Sequence, residues 1–420
     1  MIRATLRPLR LPGFPHLASS YFVNELGNWL GEIALAILIF ETTGSEIATA
    51  GLFLAMQFVP ALTTPLLVAR VEAWPTGRVL PALYVAEALT FGVLALFATD
   101  DRFALAPVLV LASLDGMLAV TARTLTRASA AAILTPAGEL REGNGLLNVG
   151  FTIGAAAGPA LGGLVVAVAG VETALLGDAV SVLAVAALLG VAQLPTGEVD
   201  DARWLARLRG GFAYVRERGA LRNLLFAQAA AFIFFALVIP IEVAFATETL
   251  DAGDFGYGLL LAAWGSGMVS GSLVFAAFRR VSLPALIAFS TLAIGVAYLA
   301  IAVSPSLALA CTASVVGGLG NGVQWVALVT EVQALTHRAY QARVVALLES
   351  AGSAMPGIGF LAGGVIAALL SPRASYAVAG AGVLVVLFAA VVMLRGTRWV
   401  HPDEEPGDVA PRAPLIVSEG

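Results

Sequence analysis

The stretch IGAAAGPALGGLVVAV (Ile153–Val168) holds sixteen residues with no charge and no alternation of polar and apolar positions. As a helix it rises about 24 Å, most of a hydrocarbon core roughly 30 Å thick. A membrane-crossing strand would alternate instead, in segments of about ten residues. Val378–Leu394 is a second unbroken run of the same kind. Both read as membrane helices, and the chain as all-α.

Composition extends this reading to the whole molecule. Of 420 residues, 59% are hydrophobic and only 12% charged, and the mean hydropathy is +0.91. Soluble domains carry about 25% charged residues, so the apolar excess must face lipid. Apolar windows fall at 16–40, 47–70, 79–98, 103–125, 144–169, 172–193, 222–246, 256–278, 283–303, 306–330, 344–370 and 374–394. That is twelve spans. The first is too long for a signal-peptide core and is expected to be retained.

Charge placement orients the bundle. All 23 basic residues are arginine, and with the N-terminus inside, 21 of them fall in or near the inner connections and tails. Only Arg102 and Arg373 lie outside. The positive-inside rule then makes both termini cytoplasmic in a multi-pass cell (inner) membrane protein. The chain divides into an N-terminal six-helix bundle (1–193), a linker (194–221), a C-terminal six-helix bundle (222–395) and a cytoplasmic tail expected to be disordered (396–420). In the linker, Trp204, Leu208, Phe212 and Val215 recur at helical spacing, which suits either an amphipathic helix in the headgroup layer or a solvated connector.

Several function classes drop out. A chain without lysine cannot form a P-loop, and no H-E-x-x-H or G-x-S-x-G is present. His16, His337 and His401 are scattered and Cys311 is alone, so neither a metal site nor a cofactor is expected. No basic patch points to nucleic acid. The chain is therefore expected not to be an enzyme, and to be a monomer in the bilayer.

The halves repeat. Gly51-Leu-Phe-Leu-Ala recurs as Gly258-Leu-Leu-Leu-Ala, and Gly158-Pro159-x-x-Gly162-Gly163 is echoed by Pro356-Gly-Ile-Gly359 with Gly363-Gly364. A parallel six-span duplication is a plan on which secondary transporters alternate access. In Gly154-x-x-x-Gly158-Pro159-x-x-Gly162-Gly163 the glycines let another helix approach and the proline removes a backbone bond. The segment is therefore either simple helix packing or a pliable span at which the halves rock.

With this motif the sequence resembles the major facilitator superfamily, whose span-5 signature G-x-x-x-G-P-x-x-G-G is associated mainly with exporters. Leu26-Gly27-Asn28-Trp29, Thr43-Gly44-Ser45, Glu139-Leu140, Asp178-Ala179-Val180-Ser181 and Phe255-Gly-Tyr257-Gly258 resemble the branch containing siderophore and macrolide exporters. Asn28 stands where that branch usually has an acid. The loop signature after span 2 is reduced to Glu72 and Arg78, the expected cytoplasmic gate, and its missing arginines imply a weaker latch.

Charges inside spans are costly, roughly 2.5–3.5 kcal/mol each, and usually face a cavity. The candidates are Glu25 and Glu32 in span 1, Glu87, Asp115, Asp178, Glu242 and Glu349, with no arginine at a span centre. The interior reads as acid-biased. Tyr21, Glu25, Asn28 and Glu32 share one helix face. The resemblance makes spans 1, 4, 7 and 10 line the cavity, with Asp115 opposite that stripe and Asn321 and Gln324 supplying hydrogen bonds. Glu25, Glu32 and Asp115 are then the expected proton-coupling set, unless each is a helix–helix hydrogen-bond partner. Asp178 reads as a brace, Glu242 as partly wet, and Glu87 and Glu349 as paired with neighbours. Glu331 is offered Arg338 or Arg343.

One charge crossing ~100 mV releases roughly 2.3 kcal/mol, enough for about a 50-fold gradient. The sequence therefore reads as a proton-coupled exporter of a small amphiphilic molecule such as a drug, siderophore or secreted metabolite. Import on the same fold is the alternative, followed by a non-transporting scaffold or sensor.

Overall fold

The computed structural model describes residues 6–43, 46–98, 102–192, 194, 204–275, 278 and 280–395. The tail at 396–420 and the linker's first part lie outside these residues, as do Gly44, Ser45, Arg279 and the side chains of Pro159 and Phe255. Every regular element among the described residues is helical.

Eleven described helices are long and apolar enough to cross a membrane. Spans 1 to 4 are Phe14–Thr43, Glu46–Val71, Thr76–Phe97 and Leu105–Leu134. Spans 5 and 6 are two arms of one helical stretch, Leu140–Gly190, broken at Gly170 with φ 83° and ψ 164°. Glycine alone adopts that conformation without strain. The chain reverses there: Gly154, Gly158 and Gly162 climb along span 1 from Glu25 to Ile33, whereas Asp178 and Ser181 descend it past Gly31 and Gly27. Counting both arms gives the twelve segments expected.

Span 7 begins as Gly219–Ala236 and breaks into a 3₁₀ turn, Ile239–Ile241, and a wide turn, Phe245–Thr249. Pro240 lies in this break, where a proline deletes a helical hydrogen bond. Spans 8 to 12 are Gly253–Phe275, Leu283–Val303, Leu307–Ala334, Gln341–Leu369 and Pro372–Leu394. The last is capped by the Ser371 hydroxyl, which accepts from Ala374 N–H at 3.2 Å.

Apolar cores belong almost wholly to one half each. Leu35, Phe91 and Leu175 join spans 1, 3 and 6; Phe245, Tyr298 and Tyr376 join spans 7, 9 and 12. Leu62, Leu89, Phe226, Phe289, Leu361 and Phe388 form part of an exposed apolar perimeter, as lipid solvent allows. The internal duplication reappears in packing. Gly154 and Gly158 lie against span 1, and Gly359 and Gly363 lie against Ile233 and Leu237 of span 7.

The linker does contain a helix, Trp204–Glu217. Its buried face is Arg207, Gly211 and Tyr214, while Trp204 and Phe212 are exposed.

Candidate functional site

Span 4 continues past the apolar window that marks it in the sequence. Arg123 and Arg127 stand one turn apart inside the helix, so they share a face. Arg123 forks onto Glu25 of span 1, with Nε at 2.7 Å from Oε1 and a terminal nitrogen at 3.3 Å from Oε2. A bidentate guanidinium–carboxylate pair fixes both charge and geometry. Arg127 donates to the Tyr21 hydroxyl at 2.6 Å and lies over the rings of Tyr21 and Trp325.

Glu349 of span 11 completes the cluster from the other half. It is 3.2 Å from Arg127 Nε and 3.8 Å from Arg123. The shorter contact is an ion pair but not a hydrogen bond, since Arg127 Nε and Glu349 Oε1 are close but misaligned. Two arginines and two glutamates thus balance. Three of the four are nearly fully buried, whereas the Arg123 side chain is 21% exposed.

The sequence places no arginine at a span centre, and these two lie in the C-terminal half of span 4 rather than at its end. The apolar window closes just past Arg123, but carboxylates on spans 1 and 11 neutralise both arginines and let the helix carry them inward. The acid bias survives only in a second group. Asp115 is buried and within electrostatic reach of Asp178 and Glu32, and Glu87 within reach of Asp115 and Asp178. Neither Glu87 oxygen has a hydrogen-bond partner among the described residues. Asp178 accepts from Ser181 at 3.1 Å and fits against Gly27 and Gly31, where any side chain would strike its carboxylate. Glu242 is half-buried and bonded to Tyr376.

The predicted site residues fall into two neighbouring groups, with Arg123 within electrostatic reach of Glu32 and Glu87. Glu25 belongs to the neutral cluster; Glu32 and Asp115 belong to the carboxyl group. Asn28 lies between them on span 1, and neither of its polar side-chain atoms is bonded among the described residues. Asn321 only approaches Met268 Sδ at 3.6 Å. Gln324 is not in the central cluster: it donates to Gln228 at 2.6 Å and lines a cavity between spans 7, 9, 10 and 12. One residue along a helix turns a side chain by about 100°, and Trp325, not Gln324, faces Arg127.

The halves are tied together at the arginine-rich end. Arg343 of span 11 reaches Glu72 at 2.5 Å, and Arg207 of the linker helix reaches it at 3.5 Å. Arg207 also donates to the Ala69 carbonyl at 2.7 Å and the Arg70 carbonyl at 3.4 Å. These are carbonyls near the end of span 2, where a helix attracts cations. Arg78, named with Glu72 as the expected gate, is exposed and makes no ion pair among the described residues. The partners of Glu72 are thus arginines remote in sequence.

The opposite pair of elements makes a related contact. Arg141, at the start of span 5, donates to the Phe278 carbonyl at 2.8 Å and the Val281 carbonyl at 3.3 Å, just past span 8. Between the latches runs a polar seam. Asn148 donates to Ser272 at 2.5 Å, Asn144 to Gln333 at 2.6 Å and Thr330 at 3.1 Å, and Gln333 to the Arg127 carbonyl at 3.1 Å.

The span-5 glycines are not part of this seam. Gly154, Gly158 and Gly162 abut the backbone or Cβ atoms of Glu25, Leu26, Trp29 and Leu30 within the same half, while Gly163 faces open space. The motif is first a packing surface for span 1, not the surface between halves.

A family profile described as "Transmembrane secretion effector", of the major facilitator type, matches residues 3–414. The chain belongs to the major facilitator superfamily. No protein of curated function matches this transporter in sequence. Its fold is similar to the human organic anion transporter MFSD10 (TETRAN), with TM-score 0.75, 16% identity and coverage of 90% of this chain and 100% of that one. A bacterial homologue of the iron transporter ferroportin in an outward-facing state gives TM-score 0.73, 17% identity and coverage of 92% and 100%. The E. coli fucose:proton symporter FucP gives 0.70, 14%, 90% and 98%. At such identities the likeness establishes the fold alone. This major facilitator chain is a multi-pass membrane transporter of a small molecule.

Proposed function

We propose that this transporter exports a small amphiphilic molecule in exchange for protons, with both termini in the cytoplasm. The observation that carries the proposal is Glu349, a buried carboxylate of one half held between Arg123 and Arg127 of the other. A proton on Glu349 removes the charge that ties the halves together. Arg123 then keeps Glu25, whereas Arg127 keeps only the neutral Tyr21 hydroxyl, and its uncompensated charge favours water entering as the halves part.

The magnitudes agree. Removing one partner of a buried pair costs about 3–5 kcal/mol, the same order as the roughly 2.3 kcal/mol released per charge at 100 mV. One or two protons are therefore enough to bias opening. Arg123, the most exposed member, gives the cluster contact with water, and Asn28, Glu32 and Asp115 offer polar and anionic groups to a cationic or amphiphilic cargo. The arginine distribution supports a cytoplasmic latch, which makes the closed end the inner one. The family description as a secretion effector supports export, and the span motifs quoted above support the siderophore and macrolide exporter branch.

Substrate added to energised inverted vesicles is expected to release protons from the lumen and alkalinise it. Acidification by substrate instead identifies a symporter, and no proton movement with any transported compound removes proton coupling. Glu349→Gln and Glu25→Gln are expected to abolish uphill transport while folded protein stays in the membrane. Unchanged uphill transport in both refutes the coupling site.

A further inference from the structure

A cavity of about 260 Å³ lies between spans 7, 9, 10 and 12, on the side away from the ion-pair cluster. Its shaft is apolar, including Ala231, Ile287, Val386 and Ala390, and Arg395 stands at one end. Gln228 and Gln324, with Thr291 of span 9, are the polar residues along it. Gln324 donates to Gln228 Oε1, which leaves Gln228 Nε2, on a side chain 4% exposed, without a partner among the described residues.

We propose that this cavity binds one anionic phospholipid from the leaflet on the arginine-rich side. Three observations select that occupant. Phe226 of span 7, Phe289 of span 9 and Phe388 of span 12 are 66%, 67% and 71% exposed, so the lining spans border lipid. Asn223 donates to the Met393 carbonyl at 3.3 Å, which sets the start of span 7 level with the end of span 12 and Arg395 at headgroup height. Gln228 lies five residues further in, about 7.5 Å along the helix, the depth of a glycerol ester beneath its phosphate. Arg395 thus meets the phosphate, Gln228 Nε2 donates to an ester carbonyl, and the shaft takes the acyl chain. Basic pockets between spans on this side of a membrane hold anionic lipids by the same physics.

The test is native mass spectrometry of the full chain extracted from vesicles of equal parts phosphatidylglycerol and phosphatidylcholine. The expected result is one retained phosphatidylglycerol in preference to phosphatidylcholine. Arg395→Gln is expected to lower that retention about fivefold, the worth of one arginine at a membrane surface. Ala231→Phe, filling the shaft, is expected to abolish it, with Ala390→Phe as the second filling variant if the first does not fold. Equal retention of both lipids, or full retention in a folded filling variant, overturns the proposal. Soluble glycerol phosphate is expected not to compete; competition would assign Arg395 to a free phosphate and also overturn it.

Discussion

Glu349 and Arg127 approach within 3.2 Å although they belong to opposite halves of the chain. Arg127 is 2% exposed and Glu349 6%, so the pair is shielded from the water that makes surface ion pairs weak. Its misalignment matters as much as its burial. An ion pair without a hydrogen bond holds by charge alone, and neutralising one member releases it without reorganising a network.

Glu349→Gln should therefore weaken closure of the arginine-rich end while leaving the fold intact. The opening can be read with Cys311→Ser as background and Asn148→Cys with Ser272→Cys as reporter, two positions whose side chains now meet at 2.5 Å. A short bifunctional thiol reagent is expected to join these cysteines readily and to stop transport reversibly. Adding Glu349→Gln should slow joining several-fold. Joining at an unchanged rate would mean that the Glu349 charge does not hold the halves.

The contact at Glu72 makes a sharper prediction because its partners are remote in sequence. Glu72→Arg or Arg343→Glu should each raise thiol labelling at the seam, and the two together should restore part of the closure. A coupling of about 0.5–3 kcal/mol is the usual range for residues in contact. Arg78→Gln should leave labelling unchanged. An effect of Arg78→Gln as large as that of Arg343→Glu would return the gate to the loop itself.

What the sequence made legible follows from range. Hydropathy is local, so the succession of membrane helices could be read from windows. The faces of span 1 were legible too, since Tyr21 and Glu25 do share a stripe and both meet span 4. Partner choice is not local. Arg123 closes the apolar window of span 4 and Arg127 lies beyond it, and their partners are carboxylates 98 and 222 positions away. Gln324 and Trp325 differ by one position, and only packing decides which faces the centre. A clue was present in Arg123 and Arg127 themselves, spaced one turn apart at the end of an apolar run.

Linker control follows from Arg207. Because this arginine shares Glu72 with Arg343 and also caps the end of span 2, the linker helix is part of the closure and not only a tether. Arg207→Gln is expected to raise seam labelling less than Arg343→Glu does, since the Glu72–Arg343 contact remains. Cutting the chain within 195–203, at an inserted protease site, should leave labelling unchanged, because the helix from Trp204 onward keeps its contacts. Labelling that rises on cleavage as much as with Arg207→Gln would make the tether, not Arg207, the source of closure.

The glycines supply the last prediction, which separates packing from pliability. A Cβ at Gly158 would strike Trp29, and one at Gly363 would strike the Leu237 backbone, whereas at Gly163 and Gly364 it meets nothing within 4 Å. Gly158→Ala and Gly363→Ala should each destabilise by about 1–3 kcal/mol, as overpacking does, and lower the thermal midpoint in detergent. The backbone obstacle makes Gly363 the more sensitive, because a tryptophan side chain can shift and a helix backbone cannot without moving the span. Gly163→Ala and Gly364→Ala should be neutral or slightly stabilising, since alanine favours the helix by up to about 1 kcal/mol over glycine. If Gly163→Ala instead keeps the midpoint but abolishes transport, the second glycine of the pair serves motion rather than packing, and the span must bend there during the cycle.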